Sequence, residues 1–277
     1  MQPDFVVIGA MKCGTSTVCA FLEDHPDVYM VPSSEPNFFS SDENYAAGTE
    51  TYERLFDAAR PMQIKGEGSN SYSDGASTPE TAARMAAHYP NLKLIYLVRH
   101  PIVRIRSDWI QKRVQSSNRS PATLDLAIAT EHDFYVGKSM YWKNLSHFRA
   151  HFSDDQLFVA CLEDLSSNRA HVLQNLCQFL EIENISEVKR GHLNPSSGKA
   201  VPTPLYNKVN RLPGLSLLKS LLPKGLKTGV KSTLLSAPAT EVPDFSPETY
   251  ANIAAELRDD SAQMLTYLGK PADFWKF

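Results

Sequence analysis

A short apolar run followed at once by a glycine-bounded turn constrains the fold of this chain most. Residues 5–8 are apolar and mostly β-branched, which is typical of a strand buried on both faces of a parallel sheet. Gly9 and Gly14 bracket the turn, and from Val18 onward apolar residues recur at helical spacing. A strand, a turn and a helix in this order direct backbone N–H groups and a helix N-terminus at one point. The stretch therefore predicts an anion-binding loop.

The two glycines match only half of the phosphate-binding P-loop of nucleotide triphosphatases. In that motif a lysine directly follows the second glycine, and a Mg²⁺-binding hydroxyl follows the lysine. Here Thr15 occupies the lysine position, and Lys12 lies inside the turn. Lys12 adds a positive charge, and the hydroxyls of Thr15, Ser16 and Thr17 add neutral donors. Taken alone, the loop is also compatible with an ordinary βα turn that carries a surface lysine.

A second apolar run, residues 92–98, is predicted to be another buried strand, and it ends in a cation. Arg99 follows it, and Pro101 opens a helix at a position that tolerates a missing N–H. In a Mg²⁺-dependent triphosphatase such a strand often ends in an aspartate that serves the metal. An arginine in this place favours an anion instead. Ser107 approaches the same anion if the strand-to-helix turn folds back.

The chain resembles the sulfotransferases that use 3′-phosphoadenosine 5′-phosphosulfate (PAPS). Three segments together carry this resemblance: residues 8–17, 34–39 and 97–109. Within that superfamily the chain is most similar to the bacterial and heparan-sulfate-type branch, from residue 4 to about residue 200. The resemblance implies that the first loop binds the 5′-phosphosulfate and that Arg99 with Ser107 binds the 3′-phosphate. Two cationic loops then suit a donor that is anionic at two separated positions. The loop residues implied in donor binding are Lys12, Cys13, Gly14, Thr15, Ser16 and Thr17.

Glu35 lies in a proline-bounded loop and has two interpretations. Most glutamates in loops are solvated carboxylates. The resemblance instead makes Glu35 the catalytic base, with Lys12 as the cation that stabilises charge on the leaving group. We favour this second interpretation, and we expect Phe38 and Phe39 to form an apolar wall that raises the pKa of Glu35. Hormone-type enzymes of the superfamily use a histidine base, and this segment contains none.

Two further segments are interpreted through the same resemblance. Heparan-type relatives carry a lysine directly after the glutamate at Glu67, but Gly68 stands there, which argues against a two-lysine mechanism. Glu67 either orients the acceptor or has a structural role. Ser197, Gly198 and Lys199 match a family loop that closes over the 3′-phosphate and adenine; the alternative is a plain connection.

The composition excludes several classes of protein. The 277 residues are 42% apolar, which predicts a globular chain, and the net charge of −3 argues against a nucleic-acid-binding protein. His147 and His151 have the spacing of a metal pair but lack a metalloprotease signature.

No apolar run is long enough to span a bilayer, so we expect a cytoplasmic protein without stable membrane insertion. The cysteines lack the spacing of a zinc site or a disulfide framework, and we interpret them as reduced thiols: Cys13, Cys19, Cys161 and Cys177.

The order of the predicted elements indicates the fold. Strands alternate with helices, which predicts an α/β fold with a P-loop-like, mainly parallel sheet flanked by helices, and a ligand beyond the carboxyl ends of the strands. We expect one sulfotransferase domain over residues 1–277, with a core of about 1–194. The cationic residues of the helix after Pro101 are interpreted as mostly a solvated face: Arg104, Arg106, Lys112 and Arg113.

The remainder, about 195–277, is predicted to be a mostly helical part with a basic lid and a C-terminal helix. Residues 195–240 contain no acidic residue, and their apolar and basic residues are interleaved. The alternative is a basic helix that binds a membrane surface. Pro213, Pro223 and Gly225 break the segment into short pieces, which favours the lid.

These features predict an enzyme that moves a sulfuryl group from PAPS to a hydroxyl or amine by in-line displacement and releases adenosine 3′,5′-bisphosphate (PAP). We expect a small metabolite, a glycolipid or a short saccharide as the acceptor, and no metal. Two alternatives stay open. A P-loop-like small-molecule kinase would need Mg²⁺ and ATP, and a non-catalytic nucleotide or membrane-surface binding module would not need Glu35.

Overall fold

A five-stranded sheet forms the centre of the computed structural model, which describes residues 1–32, 35–115, 120–185, 200–202, 236–238 and 244–277. The strand order is β2-β3-β1-β4-β5, and every neighbouring pair is parallel. The predicted α/β fold with a mainly parallel sheet is therefore confirmed. The strands are β1 (Phe5–Gly9), β2 (Val28–Met30), β3 (Ile64–Gly68), β4 (Lys93–Val98) and β5 (Leu157–Cys161).

Ten α-helices surround this sheet in the described part of the chain. Two short strands, β6 (Ala200–Pro202) and β7 (Ser236–Pro238), form a separate antiparallel pair. The helices are α1 (Thr15–Asp24), α2 (Asp42–Ala46), α3 (Thr49–Glu53), α4 (Thr78–His88), α5 (Pro101–Gln115), α6 (Leu124–Tyr135), α7 (Tyr141–Arg149), α8 (Leu162–Ser167), α9 (Arg169–Leu180) and α10 (Pro247–Tyr267). Within the described ranges, each helix is too short or too polar to cross a bilayer.

The pairing of β1 with β4 positions the two predicted cationic loops. Both strands are almost wholly buried, because the parallel sheet is covered on both faces. Their backbones stay together past the end of β1, where the N–H of Ala10 donates to the carbonyl of Leu97 at 2.8 Å. Since the strands are parallel and adjacent, the loops after Gly9 and Val98 begin side by side at one edge of the sheet.

A second core lies away from the sheet, where apolar residues of α5, α6 and α10 pack together. The C-terminal tail also packs on the domain: Trp275 is buried with its ring centroid 5.9 Å from that of Tyr141. The side chain of Ser246 accepts from the N–H of Thr249 and so caps the N-terminus of α10.

The interpretation of the α5 cations as a mostly solvated face is wrong for Arg104 and Arg113, which are both buried. Arg104 can be buried because its donors are paired. Its guanidinium donates to Asp108 at 3.0 Å, to the Ser139 hydroxyl at 2.6 Å and to the Tyr135 carbonyl at 2.6 Å.

A substitution at Gly66 of β3 tests how tightly the sheet is packed. It pairs in register with Phe5, and a Cβ atom at Gly66 would lie 2.3 Å from the buried Phe5 ring. We expect Gly66→Ala to lower the free energy of unfolding by about 1–3 kcal/mol in urea titrations, because the core cannot accept the extra atom. Gly137→Ala is the control, since no atom lies within 4 Å of its added Cβ. Equal losses in both variants would contradict this account.

Candidate functional site

The loop between β1 and α1 has the geometry of an anion site. Gly14 caps α1 with φ 94°, a left-handed conformation that favours glycine. A Cβ atom there would also lie 2.8 Å from the end of the Leu162 side chain, so a larger residue would be strained in φ and would displace that side chain. The first turn of α1 contains no acidic residue. The positive end of the helix dipole and its N–H groups therefore remain suited to an anion.

The side chains of this loop differ in their access to a ligand. Lys12 is half-buried, and its Nζ lies 3.5 Å from Oε1 of Gln111 on α5. Thr15 and Thr17 are buried, whereas Ser16 is exposed. Burial raises the pKa of the Cys13 thiol to about 11, so this side chain stays protonated at neutral pH.

Arg99 joins the second loop to the first. Its Nη1 donates to the backbone carbonyl of Lys12 at 3.1 Å. Its Nε is buried and has no hydrogen-bond partner among the described residues. Because a buried guanidinium N–H strongly favours a partner, this donor suits an anionic group of a ligand. The two cationic loops are therefore in direct contact.

Ser107 lies on the side of α5 that faces the first loop. It is buried one helical turn before Gln111, and residues four apart share a helix face. Since Gln111 contacts Lys12, the same face of α5 is turned toward the loop. The pairing of Arg99 with Ser107 on one anion stays a prediction.

Glu35 approaches the start of the anion loop from the other side. Its carboxylate is exposed and accepts from Asn70 Nδ2 at 2.5 Å. Asn70 in turn lies against Gly9, where an added Cβ atom would be 3.3 Å from the Asn70 carbonyl oxygen. One residue therefore contacts both the predicted base and the beginning of the anion loop.

The expected apolar wall around Glu35 is wrong. Phe38 and Phe39 are buried in an aromatic cluster, and the Phe38 ring stacks on Tyr52 with centroids 4.6 Å apart. Phe39 packs edge-on to Tyr72. The two rings point into the core because the burial of an aromatic side chain is favourable. The side chain of Glu35 remains exposed to solvent.

Glu67 is fully buried at the end of β3, so it cannot contact an acceptor in this conformation. It accepts from the Tyr52 hydroxyl at 3.2 Å and from the Ser69 hydroxyl at 2.8 Å. The pKa of Glu67 is raised to about 7, mainly because the carboxyl is buried and to a smaller extent because the Glu35 carboxylate is near; hydrogen bonds from Tyr72, Ser69 and Tyr52 oppose this rise.

Other predicted features lie elsewhere. The predicted basic lid lies outside the described residues, apart from β6 and β7. The undescribed part includes Ser197, Gly198 and Lys199. Among the described residues no group of three His, Cys, Asp or Glu side chains could hold a metal. A cavity of about 430 Å³ lies at the opposite edge of the sheet, lined by Asp4, Lys93 and neighbouring residues, and the predicted site residues do not line it.

The sequence interpretation missed Asn70 and Gln111. Asn70 is one of several polar residues in the turn after β3, and no local signal distinguishes it from its neighbours. Gln111 had a detectable signal, because it lies four residues after Ser107 in a predicted helix and must share its face.

The family follows from comparison with known proteins. A profile described as "Sulfotransferase domain" matches residues 2–211, which is most of the chain. This chain belongs to the sulfotransferase family. Human heparan sulfate glucosamine 3-O-sulfotransferase 3B1 is 30% identical over 207 residues, which cover 71% of this chain and 50% of that protein. Human isoform 6 is 29% identical over 205 residues, covering 71% and 57%. The sulfotransferase chain therefore spans about half the length of the curated relatives it matches.

Solved structures show the same fold. A sulfotransferase from Alicyclobacillus acidocaldarius superposes with a TM-score of 0.69 at 21% identity, and the match covers 100% of both chains. Mouse sulfotransferase SULT7A1, solved in complex with PAP, gives a TM-score of 0.52 at 18% identity, covering 93% of this chain and 83% of that one. Both similarities concern the fold alone.

Glu67 predicts a specific pH dependence of stability. Its pKa in the folded protein is about 7 against a reference value of 4.5, so between these pH values the unfolded chain releases a proton that the folded protein retains. The free energy of unfolding therefore falls as the pH rises. We expect Glu67→Gln to remove about 3 kcal/mol of this fall between pH 4.5 and 8, measured by urea titration.

Exposed Glu43 provides the control for this prediction. Glu43→Gln should leave the pH dependence of the wild type in place. If the curves of Glu67→Gln and the wild type run parallel from pH 4.5 to 8, the carboxyl of Glu67 does not carry the assigned pKa.

Proposed function

We propose that this sulfotransferase domain transfers a sulfuryl group from PAPS to a hydroxyl or amine of a small metabolite, a glycolipid or a short saccharide. The observation that carries the proposal is the contact between the two cationic loops, the Arg99 guanidinium on the Lys12 carbonyl. A donor with phosphate groups at two positions requires two anion sites within reach of one molecule. This contact between the loops supports the proposal.

The residues present fit the donor. Residues 12–17 would hold the 5′-phosphosulfate at the N-terminus of α1. Arg99 and Ser107 would hold the 3′-phosphate, since the buried Nε of Arg99 has no hydrogen-bond partner among the described residues. A structural neighbour was solved with PAP, which is consistent with this donor. Ser197, Gly198 and Lys199 would close over the 3′-phosphate and adenine.

The transfer step assigns one role to each group. Glu35 accepts the proton of the acceptor hydroxyl or amine as its oxygen or nitrogen forms the bond to sulfur. The bond from sulfur to the 5′-phosphate oxygen breaks, and the negative charge that remains on that phosphate is stabilised by Lys12 and the N–H groups of the loop. Asn70 holds the Glu35 carboxylate by donating to Oε1. Positioning and charge stabilisation dominate, as in phosphoryl transfer.

A saccharide is the acceptor class that the relatives favour. The two named human relatives act, by their names, on a glucosamine of heparan sulfate. The net charge of −3 favours a short saccharide over a long sulfated polymer, which would need a broad basic surface.

A thermal-shift experiment tests the donor. We expect PAP to raise the melting temperature by several degrees more than ATP or ADP at equal concentration, with or without EDTA, because only PAP places a phosphate on Arg99 and Ser107. A larger shift with ATP, or a shift that requires Mg²⁺, would instead support the kinase alternative.

Glu35→Gln tests the base. We expect the rate of ³⁵S transfer from PAPS to a glucosamine-containing heparan oligosaccharide to fall by at least about 100-fold, since general-base catalysis typically contributes 10²–10⁴. Affinity for PAP, measured by calorimetry, should change by less than about twofold. Glu43→Gln is the control and should retain transfer. A Glu35→Gln enzyme that transfers at the wild-type rate rules out Glu35 as the base.

A further inference from the structure

The loop that carries Glu35 is attached to the core through two buried hydroxyl groups. The backbone N–H of Asn37 donates to the Ser69 hydroxyl at 3.0 Å, and the N–H of Phe38 donates to the Tyr72 hydroxyl at 3.0 Å. Ser69 and Tyr72 are fully buried, and the N–H of Ser69 donates to the Val7 carbonyl of β1. These two hydrogen bonds fix the residues that follow Glu35.

Both hydroxyl groups also interact with one buried carboxyl group, that of Glu67. The Ser69 hydroxyl donates to Glu67 Oε2 at 2.8 Å, and the Tyr72 hydroxyl contributes a hydrogen bond to the same carboxyl. A third hydroxyl, that of Tyr52, donates to Oε1 at 3.2 Å. The Tyr52 hydroxyl has no described hydrogen bond to the Glu35 loop, so it serves as an internal comparison.

The chemistry of these groups sets the direction of each hydrogen bond. A hydroxyl has one proton to donate and lone pairs to accept, whereas an ionised carboxylate can only accept. The carboxylate of Glu67 therefore draws the protons of Ser69 and Tyr72 toward itself. Their lone pairs then face the N–H groups of Asn37 and Phe38. An amide at position 67 would have to donate as well, which would turn one hydroxyl proton against an N–H of the loop.

We propose that Glu67 is a positioning residue for the transfer reaction, which holds the Glu35 loop in place through the hydroxyl groups of Ser69 and Tyr72. This inference rests on the proposed function, because it gives Glu67 a role through Glu35. Glu67 does not touch the substrate. Its contribution is to keep the loop, and with it the base, at a fixed place beside the anion loop.

Amide hydrogen exchange tests the attachment without any acceptor. In the PAP complex at pH 8, Ser69→Ala should speed exchange of the Asn37 amide by about tenfold, and Tyr72→Phe should do the same for the Phe38 amide. Glu67→Gln should speed both. Tyr52→Phe is the matched control, since it also removes a buried hydroxyl from Glu67 while its ring can still stack on Phe38, and it should change neither amide. Equal exchange in Tyr52→Phe and Tyr72→Phe overturns the proposal.

Transfer kinetics separate positioning from general damage to the structure. Ser69→Ala and Tyr72→Phe should each lower kcat with the heparan oligosaccharide by about tenfold and leave the Kd of PAP within twofold. Tyr52→Phe should stay within twofold in both. Added to Glu35→Gln, the Ser69→Ala change should have no further effect, because the base whose position it controls is already absent. A further tenfold loss in that double variant overturns the inference.

The outcomes also distinguish this inference from the proposed function. If Glu35→Gln retains full transfer, the proposed base is wrong, although the exchange experiment still reports whether Glu67 anchors the loop. If Glu35→Gln is inactive while Ser69→Ala and Tyr72→Phe behave like Tyr52→Phe, the proposed function stands and the positioning role of Glu67 fails.

Discussion

The hydrogen bond from Arg99 to the Lys12 carbonyl is the interaction on which the site depends. It exists because β1 and β4 are adjacent and parallel, so that the loops leaving them start side by side. The Lys12 carbonyl accepts from one nitrogen of the Arg99 guanidinium, and the buried Nε of Arg99 has no hydrogen-bond partner among the described residues. The fold thus brings the two cationic loops into direct contact.

The strand order places the remaining chemistry on the other side of the same loop. β1 lies between β4, which ends in the cation, and β3, whose following turn contains Asn70 and holds Glu35. A group bound over the end of β1 would therefore have the Lys12 loop on one side and the Glu35 carboxylate on the other. This is the arrangement that an in-line displacement needs, because the attacking and leaving atoms lie on opposite sides of the transferred group.

Much of the fold could be predicted from the sequence because its cues are local. Strands buried on both faces are continuous apolar runs, and Gly14 and Pro101 mark the helix starts after β1 and β4. What the sequence could not predict depends on partners distant along the chain. Arg104 is a charged residue of the kind expected in solvent. It is buried because the Tyr135 carbonyl and the Ser139 hydroxyl accept hydrogen bonds from its guanidinium. Asn70, in the same way, becomes a contact of Glu35 only after β3 is paired with β1.

The most direct test of the central claim compares two nucleotides that differ by one phosphate. Calorimetry should show that the wild type binds PAP about 100-fold more tightly than adenosine 5′-monophosphate, because the 3′-phosphate gains charge-assisted hydrogen bonds worth about 1.5–3 kcal/mol each. In Arg99→Ala this difference should nearly vanish, while affinity for the monophosphate stays within twofold. If Arg99→Ala weakens both nucleotides equally, Arg99 acts only on the Lys12 loop, and the account of one nucleotide held by two cationic loops is contradicted.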